Sequence, residues 1–176
     1  MHILLIGRPG SGKSSLLRRI TAELGKPVFG YETIKEDALA ADGMGSPIYI
    51  YEAGKPHLRS QENLAGYCLN HHATTFPAAF ERFAPRLREP VPKGHIVVLD
   101  EIGSMEAKAP AFCDCLMALL DGSVPVIAAV RDKDTPFLNA VRENPNCKCF
   151  YLNPENGDIL FSEIKKYLTD ITEALL

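Results

Sequence analysis

Residues 7–14 read Gly-Arg-Pro-Gly-Ser-Gly-Lys-Ser, and no other stretch restricts the fold of this 176-residue chain so tightly. Gly7, Pro9, Gly10 and Gly12 exclude the interior of a helix or a strand. Ahead of them, residues 2–7 are a short apolar run. Behind them, Leu16, Leu17, Ile20 and Leu24 recur on one helical face, with Arg18, Arg19, Thr21 and Glu23 on the other. Gly25 stops that helix and Pro27 follows. The opening is therefore strand, glycine-rich loop, helix.

In that context the segment matches the phosphate-binding loop at every fixed position, which sets it apart from a chance glycine-rich turn. Glycines let the backbone curl until several N–H groups face inward as an anion nest, and the helix N-terminus adds partial positive charge. The candidate nucleotide-binding residues are Gly7, Arg8, Pro9, Gly10, Ser11, Gly12, Lys13, Ser14 and Ser15. Lys13 is placed to carry charge to the β- and γ-phosphates, and Ser14 to offer a hydroxyl to Mg²⁺. Arg8 either lies over the nucleotide or faces solvent.

A second apolar run, residues 96–99, ends in Asp100-Glu101. A strand with almost no polar residue is one covered on both faces. In a parallel sheet its carboxyl end faces the ligand crevice. There Asp100 holds Mg²⁺, mostly through the water shell, and Glu101 orients or deprotonates the water attacking the γ-phosphate. Arg131 directly follows the buried strand predicted at 125–130. It either stabilises transition-state charge or is a solvated loop arginine. Glu106 is either near the metal's outer shell or a carboxylate favoured by a helix N-terminus.

The remainder reads as strands alternating with helices. Helices are predicted over 77–87, 107–120, 135–142 and 158–175, and a last strand over 148–152. The 107–120 helix aligns Phe112, Leu116 and Leu119. The 158–175 helix aligns Leu160, Ile164, Tyr167, Leu168, Ile171 and Leu175. This pattern implies one three-layer α/β domain over 1–176 with a mainly parallel sheet. Residues 28–72, dense in glycine and turn residues around the β-prone run 48–51, read as a β-rich insertion. Tyr49 and Tyr51 share a strand face there, packing on the sheet or stacking on a nucleobase.

Composition closes off several classes. The net charge of −3 gives no sign of a basic nucleic-acid surface. No run reaches the ~18 apolar residues of a membrane span. The amino end lacks the pattern of a secretory leader. The odd count of five cysteines reads as reduced thiols of a cytoplasmic protein. Cys113 and Cys115 point apart on their helix, and Cys147 and Cys149 read as buried thiols. His71-His72 reads as a surface pair.

Ile-Val-Val-Leu-Asp-Glu-Ile-Gly-Ser-Met-Glu over 96–106, together with the loop at residue 7, resembles the signature of the small nucleoside-triphosphatase family of archaea, bacteria and animals. The buried strand at 125–130 fits the same pattern, as do Gly30 and Thr33 after the first helix, and Tyr67 and Asn70. Residues 31–57 depart from it. The resemblance implies a P-loop fold of the additional-strand class. It implies hydrolysis of several nucleoside triphosphates, ATP and GTP among them, to diphosphate and phosphate, with little base preference. It also adds Gly103 to the nucleotide segment that contains Asp100 and Glu101. Two other readings stay open. In one the chain is a nucleotide or small-molecule kinase whose acceptor lies under residues 31–72. In the other it is a nucleotide-dependent switch acting on protein partners that the sequence does not identify.

Overall fold

The apolar run at the amino end forms β1 (His2–Gly7), every residue of which is buried. After the glycine loop, α1 (Lys13–Leu24) buries Leu16, Leu17 and Ile20 and ends at Gly25, whose φ of 58° is the left-handed stop expected of a glycine there. The chain continues through β2 (Val28–Lys35), β3 (Ser46–Glu52), β4 (Leu64–Leu69) and β5 (His72–Thr75). Next come α2 (Pro77–Leu87), β6 (Ile96–Ile102), α3 (Pro110–Asp121), β7 (Val126–Arg131), α4 (Pro136–Arg142), β8 (Cys147–Tyr151) and α5 (Gly157–Ala174). The computed structural model describes residues 1–174, with side chains described through residue 168. Leu175 and the side chain of Ile171, both expected on the α5 face, lie outside the described residues.

All eight strands join one sheet in the order β5-β4-β3-β2-β6-β7-β1-β8. The sheet is mixed. Four pairings are parallel, from β2 through β6, β7 and β1 to β8. Three are antiparallel, from β2 out to β5. The β-rich stretch after α1 therefore extends the same sheet, and its first strand belongs to the parallel half.

Two apolar layers cover the sheet. On one face α1 and α5 bury Leu16, Leu17, Ile20, Leu160 and Ile164 against Ile3, Leu5, Val98 and Ile127. On the other, α2, α3 and α4 pack Phe80, Leu87, Phe112, Leu116 and Leu138 against Leu4, Ile6, Val97 and Leu99. Each such large side chain contributes about 1.5–3 kcal/mol by leaving water.

One helix expectation is corrected. The helix foreseen over 107–120 is broken: a 3₁₀ turn, Glu106–Lys108, precedes α3, which restarts at Pro110 because proline suits a first helical turn and cannot donate within one. On α3, Leu120 is fully buried with Phe112 and Leu116, and Leu119 is half-buried against the same apolar layer. Among the described residues no helix is long and apolar enough to cross a membrane.

The parallel half decides where chemistry can gather. The carboxyl ends of β1 and β6, which carry the glycine loop and Asp100-Glu101, open on one edge of the sheet. β7 lies between them and brings Arg131 to the same edge, level with Gly7.

Candidate nucleotide site

Gly10 and Gly12 adopt φ of 77° and 93°, a region that side-chain-bearing residues avoid, and this curls the loop. Gly12 caps α1 without any side-chain hydrogen bond, so no side-chain cap competes for the first-turn N–H groups. The Ser11 hydroxyl is buried and has no hydrogen-bond partner. A buried polar atom left unpaired inside a curled loop fits a site shaped for an anion.

Lys13 is 4% exposed. Its Nζ donates to the carbonyl oxygens of Gly7 and Arg8, both at 2.9 Å, and lies 3.2 Å from Glu101 Oε2. The Ser14 hydroxyl donates to Asp100 Oδ1 over 2.8 Å, joining residues 86 positions apart in sequence. Arg131 donates from Nε to Glu101 Oε1 at 2.8 Å, and its second terminal nitrogen lies 2.8 Å from the same oxygen. The structure thus gathers Lys13, Ser14, Asp100, Glu101 and Arg131 at one point. Arg8, Pro9 and Ser15 are exposed around it.

Asp100 is buried, and that loss of hydration pushes its carboxyl above the usual range, against the pull of the Ser14 hydrogen bond and with the Glu101 charge adding to the rise. A divalent cation would relieve that cost. The Ser14 hydroxyl and the Asp100 carboxylate are adjacent hard oxygen donors, the set Mg²⁺ accepts when substrate phosphates and waters complete its shell.

Gly103 takes part in holding the acids. A side chain there would stand 3.3 Å from Glu106 Oε2 and 3.5 Å from Glu101 Oε1. Its N–H donates to Glu106 Oε2 over 2.9 Å. Glu106 is buried, and desolvation pushes its pKa up to about 8.

Sequence reasoning gave no role to two residues here. Tyr31 and Thr33 on β2 both hydrogen-bond the backbone at Asp100-Glu101. The signal available was a tyrosine and a threonine two apart on a predicted strand, but nothing local tells which strand lies alongside. Several weaker candidates are placed elsewhere. Tyr51 is buried, stacked between Tyr49 and His57, so these tyrosines pack on the sheet extension. Cys113 Sγ faces the Glu106 carbonyl and Cys115 Sγ the Ala84 carbonyl. All five cysteines are unpaired. A cavity of about 530 Å³ lined by Val28, Phe29, Gly54, Leu87 and His95 lies at the amino ends of β2 and β6, the edge opposite the phosphate loop.

A family model described as NTPase matches residues 2–165. Nucleoside-triphosphatase THEP1 of Methanothermobacter thermautotrophicus is 28% identical over 173 residues, covering 97% of each chain. Nucleoside-triphosphatase THEP1 of Aquifex aeolicus is 26% identical over 176 residues, covering 96% of this chain and 99% of that one. Among solved structures, the crystal structure of THEP1 from the hyperthermophile Aquifex aeolicus aligns with a TM-score of 0.69 at 27% identity, covering 93% of this chain and 96% of that one. The solution structure of a human cancer-related nucleoside triphosphatase aligns at 0.66 and 22% identity, covering 96% and 97%, a likeness of fold.

Proposed function

The chain belongs to the NTPase family, and from that premise we propose that it is a Mg²⁺-dependent phosphohydrolase that converts nucleoside triphosphate and water to diphosphate and phosphate. The observation that carries this reading is the convergence of Lys13, Arg131 and the Ser14–Asp100 pair around Glu101. The position of β7 between β1 and β6 supports the additional-strand class of P-loop folds, with 1–176 as one domain and residues 28–72 as its β-rich extension.

The loop amides and Lys13 bind the phosphate chain. Ser14 and Asp100 would hold Mg²⁺, which when bound would supply charge neutralisation for the phosphates. Glu101 sits with one carboxylate oxygen toward Lys13 and the other toward Arg131. It accepts the proton of the attacking water as the new P–O bond forms and the bond to the β-phosphate oxygen breaks. Arg131 then meets the charge that grows on the transferred group.

Broad base tolerance is part of the same proposal; the loop beside the phosphate loop, whose Leu152 N–H donates to Ile6 O over 2.7 Å, is held by its own side chains. There Asn153 Oδ1 accepts the N–H groups of Glu155 and Asn156 at 2.9 and 3.0 Å. Asn156 Oδ1 accepts that of Asn153 at 2.9 Å. These side-chain oxygens are taken up by the turn itself.

The test is steady-state phosphate release with ATP, GTP, CTP and UTP, with and without Mg²⁺, on the wild type and on Lys13→Ala. Mg²⁺-dependent release from all four, abolished in the variant, is the expected result. Release that needs an added acceptor, with phosphate appearing on it, would move the reading to a kinase.

A further inference from the structure

β6 loses register with β7 beside the acids. Asp100 pairs with Ala129 and Ile102 with Val130, which leaves Glu101 as an extra residue without a partner on β7. Such a bulge turns a side chain out of the strand's alternation, and it removes that residue's backbone groups from the ladder. They must then be satisfied elsewhere.

β2 meets both from the other side. The Tyr31 hydroxyl donates to Glu101 O over 3.0 Å. Thr33 Oγ1 accepts the Glu101 N–H over 3.2 Å and donates its own proton to Asp100 O over 3.1 Å. One hydroxyl thus serves as donor and acceptor, its natural capacity. The two side chains stand on the same face of β2, two residues apart. Tyr31 is itself immobilised: it is fully buried, with the ring of Phe112 at 5.0 Å and that of Phe83 at 6.2 Å, both edge-on. The hydroxyl is therefore anchored in the apolar layer between the sheet and α2 and α3.

We propose that Tyr31 and Thr33 are positioning residues for Glu101: their hydroxyls hold the bulged backbone that aims this carboxylate between Lys13 and Arg131. Neither touches substrate. They act by restricting where the proton acceptor sits, and small misplacements of a reacting group are costly in rate. The inference rests on the reading of Glu101 as the group that takes the proton from water.

The experiment uses Tyr31→Phe and Thr33→Val, which delete the hydroxyls at nearly constant shape, each alone and combined with Glu101→Gln. Phosphate release gives kcat and KM; calorimetry gives nucleotide affinity; thermal unfolding confirms the fold. Each hydroxyl deletion is expected to lower kcat about tenfold with affinity within about twofold. Thr33→Ser, which keeps the hydroxyl, restores the rate. In the Glu101→Gln background neither deletion costs anything further, because the group they position is gone. Wild-type kcat in Tyr31→Phe or Thr33→Val overturns the assignment for that residue, as does an equal loss in the Glu101→Gln background. Should Glu101→Gln alone keep the wild-type rate, it is the general-base reading that fails, and the positioning role fails with it.

Discussion

Glu101 Oε2 lies 3.2 Å from Lys13 Nζ, so the acid on β6 and the cation of the phosphate loop are bound to each other. Arg131 holds the other oxygen of the same carboxylate. Glu101 therefore occupies a point where two cations converge, and on the proposed reading an incoming γ-phosphate would compete with it for both.

From that competition, Glu101→Gln should bind triphosphate more tightly than the wild type, since the neutral amide yields Lys13 more readily. Its turnover should fall by about 10²- to 10⁴-fold, the range of a lost general base. Calorimetric titration and phosphate release measure the two effects. Weaker binding together with unchanged turnover would remove Glu101 from the chemistry.

Asp100→Asn and Ser14→Ala each take one oxygen donor from the hydrogen-bonded pair proposed to hold Mg²⁺. The Mg²⁺ concentration for half-maximal turnover should rise about 10- to 100-fold in either variant. Nucleotide affinity in chelator should stay close to wild type. A Mg²⁺ titration of the rate at saturating triphosphate reads this directly, and superimposable curves would place the metal elsewhere.

Arg131→Ala removes the cation that β7 brings beside Glu101. If it meets charge developing on the transferred phosphoryl group, kcat should drop about 10²- to 10³-fold with little change in KM. Arg131→Lys should recover only part of the rate, because a lysine lacks the planar fork. A change confined to KM would assign Arg131 to ground-state binding.

Glu106 offers a prediction about stability. Burial raises its folded-state pKa to about 8, from the ordinary glutamate value of 4.5. Between those values the folded chain keeps a proton that the unfolded chain has lost. Its contribution is thus fully present below the unfolded pKa and is lost as pH rises toward the folded one, with a slope of at most about 1.4 kcal/mol per pH unit. Glu106→Gln abolishes that titration. Denaturant unfolding between pH 5 and 8 should therefore decline less steeply in the variant, and identical slopes would contradict a protonated Glu106.

The chemistry-bearing segments were legible in the sequence because their signals are local. Glycines at 10 and 12 permit the left-handed turns of the loop, the apolar face of Leu16, Leu17 and Ile20 declares α1, and an apolar strand ending in Asp100-Glu101 declares β6. Each of these follows from backbone freedom or side-chain period within a dozen residues. Residues 28–72 declare less, since the turn between β4 and β5 is made by Asn70 and His71 at positive φ rather than by glycine, and β3 bulges against β4 between Ile48 and Tyr49.

Strand adjacency lies beyond such signals. That β7 runs between β1 and β6, and so delivers Arg131 to Glu101, is settled by how the two apolar layers close over the sheet. The same closure sets β2 against β6, so that Tyr31 and Thr33 meet a backbone some 70 residues further along. The sequence by itself determined the curled loop and the acid-tipped strand whose groups are proposed to bind phosphate and metal, through conformations available to a few neighbouring residues. The tertiary structure alone decided which groups flank and hold them, because pairing between distant strands depends on apolar burial and hydrogen-bond satisfaction across the whole sheet.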